Sequence, residues 1–488
     1  MTAAATTPAG AQPVQPVKQA GRDAREERAR PSVRGFAILF PQLLAIVALI
    51  AYAHPSFSRI ACATVVGFAL HYWVPFRFKE PFWFLVTFVG GAYMTSPDGS
   101  FLTGAMLVGL VFAAGLVIWA IVASPLPWWA RASLVVGYLG LLVWAGTFGR
   151  ALIGAPPRFY ARFGAAFMFR ILPYLYEARR FKTRARLLDF VRYFFVLPQW
   201  LLGQPILDFQ RLGQSWYARS IDAIAQQGVL WIVRGMIQFA VYEVLSKHVY
   251  YAREPNDVRS VRLVAVHLLC VYGGYLGTSS IIHIFIGILK LFGYDLPECY
   301  RWYAFAQSPL DMWRRANIYW KDIMMKTVYL PLYFALRRTS DAGAKILALL
   351  VVFVVSWALH VWQLSWFSDM RHSPWSVAAA WKQEAMLWTV YAAGCVVVLA
   401  LEIRAERTPK PVVPRSVPRA PLPPPAGMEG LVAKAKAYVA GRLAFPAGVH
   451  PARVMLQIAG TWTLIACLFS LERAPTWRAW LYTIKFWN

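Results

Sequence analysis

One imidazole, His360, stands in S-W-A-L-H-V-W-Q, Ser356 to Gln363, at the end of the apolar run K-I-L-A-L-L-V-V-F-V-V. An unpaired polar group in such a segment costs on the order of several kcal/mol, so a fold that keeps one has either a partner or a use for it. Three more histidines, His71, His267 and His283, fall in apolar stretches, as does the polar strip W-R-R-A-N-I-Y-W-K-D-I-M-M-K, Trp313 to Lys326. His71, in A-L-H-Y-W-V-P-F, reads as a span-end residue among interfacial aromatics, and His267, in V-H-L-L-C, is open in either sense. H-x-x-x-H and H-x-x-E-H spacings are absent, and His283 and His360 are 77 residues apart with no third ligand at metal spacing, so no metal site is indicated. Neither G-x-S-x-G nor G-x-x-x-x-G-K-[ST] occurs. His360 is then either a satisfied structural imidazole or a general base that takes a hydroxyl proton as the oxygen attacks a pre-activated acyl carbonyl.

The elements that must position these groups are membrane helices. Of 488 residues 58% are hydrophobic and 15% charged, the composition of an all-α, polytopic integral membrane bundle. Fifty Lys and Arg against 23 Asp and Glu give +27, and most of that excess lies between apolar runs, as the positive-inside rule expects. Lipid headgroups and an anionic cytosolic substrate are the partners this favours, and no nucleic acid is expected. Five scattered cysteines without C-x-x-C spacing read as small hydrophobes.

Residues 1–34, rich in Ala, Pro and Gln and then basic, are expected to form a disordered cytosolic tail, with Gly35 to Ala53 as the first span. Apolar runs near 60–76, 81–97, 102–125 and 132–155 complete an N-terminal scaffold over 35–155. P-F-R-F-K-E-P near residue 80 reads as a basic, aromatic turn. A core over 156–404 opens with the basic stretch Glu177 to Arg186 and a proline-broken run, Leu188 to Pro205. Further runs lie near 228–250, 261–290, 318–336, 345–367 and 384–401. Breaks at membrane depth are tolerated where protein or a wet cavity satisfies the freed backbone. Eight prolines between 409 and 425 mark a cytosolic linker over 405–428, and an interfacial helix and last span fill 429–488. The expected total is ten to thirteen spans, including broken or re-entrant helices.

The stretch L-F-G-Y-D-L-P-E-C-Y-R-W-Y-A-F-A-Q-S-P-L-D-M-W-R-R-A-N-I, Leu291 to Ile318, followed by Y-L-P-L, Tyr329 to Leu332, resembles the membrane-bound O-acyltransferase family. The likeness is greatest to its bacterial branch of alginate-type polysaccharide O-acetylases, which carry L-F-G-F…L-P-E-N-F…F-W-R-R-W-[HN]-I and then Y-I-P-L. Asn317 falls at that family's histidine-or-asparagine position, and His360, 43 residues later, where its late histidine lies. Upstream, F-R-I-L-P-Y-L-Y-E-A-R-R is similar to the family's F-R…Y…E…R, so the resemblance covers roughly residues 160 to 370. This chain departs from the pattern at His283, which takes the place of an acidic residue, at Ala316 for the second Trp, and at Met325-Lys326 for R-D.

The resemblance implies direct transfer of an acyl group, acetyl in the first instance, from acyl-CoA to a hydroxyl of an envelope polysaccharide, glycolipid or lipid. No cofactor would be permanently bound. His360 and Asn317 would be the catalytic pair, the first as base and the second holding the acceptor or the developing oxyanion. Arg314, Arg315 and Lys321 suit the CoA phosphates, and His283, Trp313, Tyr319 and Trp320 are accessory candidates. The expected setting is a bacterial inner membrane, N-terminus cytosolic, with a periplasmic or membrane partner protein conceivable. A bundle with broken helices and central polar groups would equally serve a transporter or flippase, or a non-catalytic assembly component of an envelope glycan pathway.

Overall fold

The long apolar runs become helices whose outward faces carry Leu44, Leu49, Leu102, Val136, Val354, Leu401 and Leu456, all exposed, as lipid-facing side chains are. The computed structural model describes residues 22–53, 58–96, 100–147, 157–180, 186–195, 206–246, 260–367, 374–407 and 451–473. Among the described residues the named elements are helices, and Trp216 and Tyr294 form an isolated antiparallel bridge. Helices α1 (Arg22–Arg28), α2 (Val33–Ala53), α3 (Ser58–Trp73), α4 (Phe76–Thr95), α5 (Phe101–Ala123) and α6 (Trp128–Thr147) make the scaffold. Short helices α7 (Pro157–Phe167), α8 (Ile171–Arg180), α9 (Leu187–Phe194) and α10 (Phe209–Ser215) follow. The long hairpin α11 (Ile221–Val244) and α12 (Val261–Leu291) comes next. The chain then forms α13 (Pro309–Arg315), α14 (Ile318–Met324), a π turn over Met325–Tyr329, α15 (Leu330–Leu336), α16 (Asp341–Phe367), α17 (Pro374–Arg407) and α18 (Pro451–Arg473).

Seven of these, α2, α5, α6, α12, α16, α17 and α18, are long and apolar enough to cross a membrane. The ten to thirteen expected also included broken and re-entrant segments, which fall short of that length or hydropathy. Helix α3 has 16 residues, and α11 carries Asp222, Gln226, Gln227, Arg234 and Gln238. The 318–336 run is interrupted: Pro331 has no N–H to donate within the helix, and the π turn lies just before it.

Three boundaries also move. Within the stretch expected to be a disordered tail, Arg22–Arg28 is helical, with Asp23 in its first turn and Arg28 in its last, favourable at each dipole end. Arg28 donates to the carbonyl of Ala218. Helix α11 starts at Ile221, seven residues before the apolar run, because I-D-A-I-A-Q-Q is helix-competent although not apolar. Helix α17 continues to Arg407, into the start of the expected linker. The linker's prolines, the interfacial piece near 429–445, residues 1–21 and the G-Q-P at 203–205 lie outside the described residues.

Two devices hold the core. Helices α11 and α12 cross at glycines: a Cβ on Gly228 would stand 2.7 Å from the Gly287 carbonyl, and one on Gly287 2.7 Å from the Gly228 carbonyl. Only small residues allow that approach. The expected turn near residue 80 is the first turn of α4, where the buried Lys79 donates to the carbonyls of His71 (2.7 Å) and Tyr72 (3.0 Å) and caps α3. Burial pushes the Lys79 ammonium down to about 8.

Candidate functional site

His360 sits on α16 one turn after Ser356, and its Nδ1 lies 2.7 Å from the Ser356 carbonyl. A carbonyl accepts only, so Nδ1 carries the proton and the lone pair of the neutral ring is on Nε2. Nε2 has no hydrogen-bond partner among the described residues. The half-buried ring is flanked by Trp388 of α17 (4.7 Å between centroids), Phe169 from the turn between α7 and α8 (5.6 Å) and Trp320 of α14 (6.1 Å). Trp320 Nε1 donates to Ser356 Oγ at 3.2 Å, tying α14 to the turn that orients the imidazole. Phe169 is fixed through its neighbour: the buried Arg170 donates to the carbonyls of Phe194 (2.8 Å), Tyr193 (3.2 Å) and Ala165 (3.3 Å).

The α14 to α15 segment runs antiparallel to α16, pairing Tyr333 with Asp341 at one end and Trp320 with Ser356 at the other. Asn317, at the start of that segment, makes no contact with His360 among the described ones. Asn317 is the N-terminal cap residue of α14 and lies in the left-handed region (φ 46°), where Asn is tolerated better than most residues. Its side-chain oxygen is 3.7 Å from Cys299 Sγ.

The remaining expected site residues disperse. Arg314 makes a bidentate pair with Glu402 of α17 (2.9 and 2.8 Å), Arg315 pairs with Asp311 (2.8 Å) and Lys321 with Asp322 (2.9 Å). All three cations are therefore committed to carboxylates. Trp313 packs on Phe353, and the buried Tyr319 donates to the Pro297 carbonyl. His283 is fully buried on α12, its Nδ1 2.8 Å from Gln238 Oε1 and its ring edge-on to Trp231, with no ring neighbour in common with His360. Of the accessory set, Trp320 alone touches His360 among the described contacts.

A second polar cluster escaped the sequence reading. Lys326, in the π turn, donates to Glu177 of α8 and to Asp208, the cap of α10, beneath the ring of Tyr176. Glu177 is 3% exposed, and its Oε2 is buried without a hydrogen-bond partner. Burial, together with the neighbouring Asp208, pushes the Glu177 carboxyl up to about 8. Asp208 is held below the usual carboxylate range, against its own burial, by Glu177 and the Lys326 ammonium. The two shifts have opposite signs, so the cluster favours one acid and one carboxylate beside the ammonium. Its signal in the sequence was a lysine inside an apolar run, which calls for a counter-charge.

The consequence for stability has a definite sign. The folded chain keeps a proton on Glu177 that the unfolded chain gives up above its ordinary value of 4.5, so stability falls as pH rises from there and levels off above about 8. Glu177→Gln is expected to flatten that slope between pH 6 and 8 without lowering Tm at pH 6, read by thermal unfolding in detergent. A slope left unchanged in the variant would remove Glu177 as its source.

Searched against family models and curated proteins, the chain matches none of them.

Proposed function

We propose that this membrane bundle transfers an acyl group from acyl-CoA to a hydroxyl of an envelope polysaccharide or glycolipid, in the manner of membrane-bound O-acyltransferases. The observation that carries the reading is the His360 tautomer: Nδ1 tied to the Ser356 carbonyl, Nε2 left with its lone pair inside an aromatic surround. The motif likeness between Leu291 and Leu332 supports it independently. In the reaction, Nε2 takes the acceptor's hydroxyl proton while that oxygen attacks the thioester carbonyl carbon. The C–S bond then breaks, and the leaving thiolate receives the proton from Nε2. Asn317, at the position the family likeness assigns, would offer its amide N–H to the carbonyl oxygen as charge develops there. Phosphates of CoA would have to share Arg314, Arg315 or Lys321 with Glu402, Asp311 or Asp322. The setting proposed is a bacterial inner membrane with the N-terminus cytosolic.

Because Asn317 has a left-handed backbone, alanine there would confound lost chemistry with strain, whereas glycine adopts the conformation freely. Asn317→Gly is therefore the informative change. Loss of one oriented hydrogen bond, about 1 kcal/mol, corresponds to a fivefold to tenfold fall in transfer with Tm nearly unchanged. Full activity in Asn317→Gly would reduce Asn317 to a backbone role.

The proposal as a whole is tested by mass spectrometry of glycans and lipids from cells with and without the chain. One acylated species should disappear on deletion and return with the wild-type chain. Unchanged acylation with a species displaced to the other side of the membrane would favour transport instead.

A further inference from the structure

Helices α2 and α11 run parallel, and the seam between them changes character along its length. At one end is a shallow cleft of mixed lining, with Ser32, Arg34, Asp222 and Gln226 beside Ile38, Leu39 and Ala223. Gln42 and Gln226 exchange side-chain hydrogen bonds just beyond it (3.0 and 3.4 Å). Past that pair the seam opens into a groove of about 270 Å³, walled by Ile46 and Ile50 of α2, Val65 of α3, Met236 of α11 and Ile284 and Phe285 of α12. The lone hydroxyl in its lining, Thr64, is bonded to the Ile60 carbonyl of its own helix at 2.7 Å. The groove thus offers nothing to a polar ligand.

The cleft does. Arg34 is exposed and has no carboxylate partner among the described residues, unlike Arg192, Arg211, Arg219, Arg234, Arg314 and Arg315, each of which is paired. The one carboxylate in the cleft lining, Asp222, accepts from Tyr72 at 2.5 Å. From Gly35 to Ile50 the seam extends about 22 Å at ~1.5 Å per residue, the depth of one headgroup layer and one leaflet of hydrocarbon. A cation at the mouth, a dry apolar groove below and a one-leaflet span match a phospholipid lying along the seam.

We propose that the α2–α11 seam binds one anionic phospholipid, its phosphate at Arg34 and one acyl chain in the groove. This site stands apart from His360 and does not depend on the acyl-transfer reading. Binding of this kind favours the folded bundle by mass action and would brace α2 against α11.

The test uses the full-length chain, extracted in mild detergent from membranes holding both anionic and zwitterionic phospholipids, with retained lipid identified by native mass spectrometry. Wild type is expected to keep one anionic phospholipid, enriched over its share of the membrane. Arg34→Glu should cut that enrichment at least fivefold. Ala240→Trp, which fills the groove from α11, should lose retained lipid of either kind. Both variants are checked for a monodisperse size-exclusion profile, and two changes at opposite ends of the seam keep one misfolded variant from deciding the outcome. The proposal is overturned if retained lipid mirrors the bulk membrane, if both folded variants retain lipid like wild type, or if the occupant is acyl-CoA.

Discussion

His360→Ala is expected to insert at normal abundance and to lose nearly all acyl transfer, by about 10²- to 10⁴-fold, the usual cost of deleting a positioned general base. Insertion should survive because the ring's one described hydrogen bond, to Ser356, stays within its own helix and its other neighbours are aromatic faces. Acyl-CoA binding should survive as well, since among the described residues no charged group contacts the imidazole. His360→Gln sharpens the comparison, because it fills more of the space and presents an amide without a basic nitrogen. It should be as inactive as alanine. The assay follows CoA release by purified protein with acceptor-containing membrane extract. Wild-type rates in either variant would leave His360 as a hydrogen-bonded packing residue.

Lys326→Met carries the largest expected effect on stability. It removes the ammonium shared by Glu177 and Asp208 and leaves the Asp208 carboxylate with the Glu177 acid and the N–H groups of Gln210 and Arg211 to hold its charge, and no cation. Breaking a buried ion pair from one side costs about 3–5 kcal/mol, and the 26% exposure of the Lys326 side chain argues for the lower end. Against a total stability of about 5–15 kcal/mol, that is a large fraction. The loss should deepen above pH 8, where Glu177 gives up its proton. Adding Asp208→Asn to Lys326→Met should restore part of it, because the unpaired charge is then gone. A double variant no more stable than the single one would mean that the lysine acts through packing and not through charge.

What could be read in the sequence follows from how local each signal is. The apolar run ending at His360 and the strip from Trp313 to Lys326 are contiguous, and each appears where its residues indicated, whereas the interruption at Pro331 falls inside a run read as continuous. The antiparallel pairing of the α14 to α15 segment with α16 follows from two adjacent segments joined by a short turn, so it lay within reach. Phe169 and Trp388, which flank the imidazole, come from elements 191 residues before it and 28 after it, and no periodicity announces such a meeting. The Glu177, Asp208 and Lys326 cluster is distributed in the same way over α8, the start of α10 and the π turn. The uncharged partner of His283, Gln238, is 45 residues away on the facing helix. Span counting is least direct where polar residues interrupt a long helix. Helix α11 is long, but its polar residues serve the interior: Asp222 holds Tyr72, Arg234 holds Glu298 and Gln238 holds His283.

The central claim is covalent transfer of an acyl group by this chain itself. Its most direct measurement incubates the purified full-length protein with deuterium-labelled acetyl-CoA and an envelope extract, counting free CoA and labelled product together. Acyl transfer predicts one labelled acetyl ester, on a glycan or lipid hydroxyl, for each CoA released above the acceptor-free background, and none of it with His360→Ala. CoA release without a labelled product, or labelled product made equally well by His360→Ala, would contradict the account.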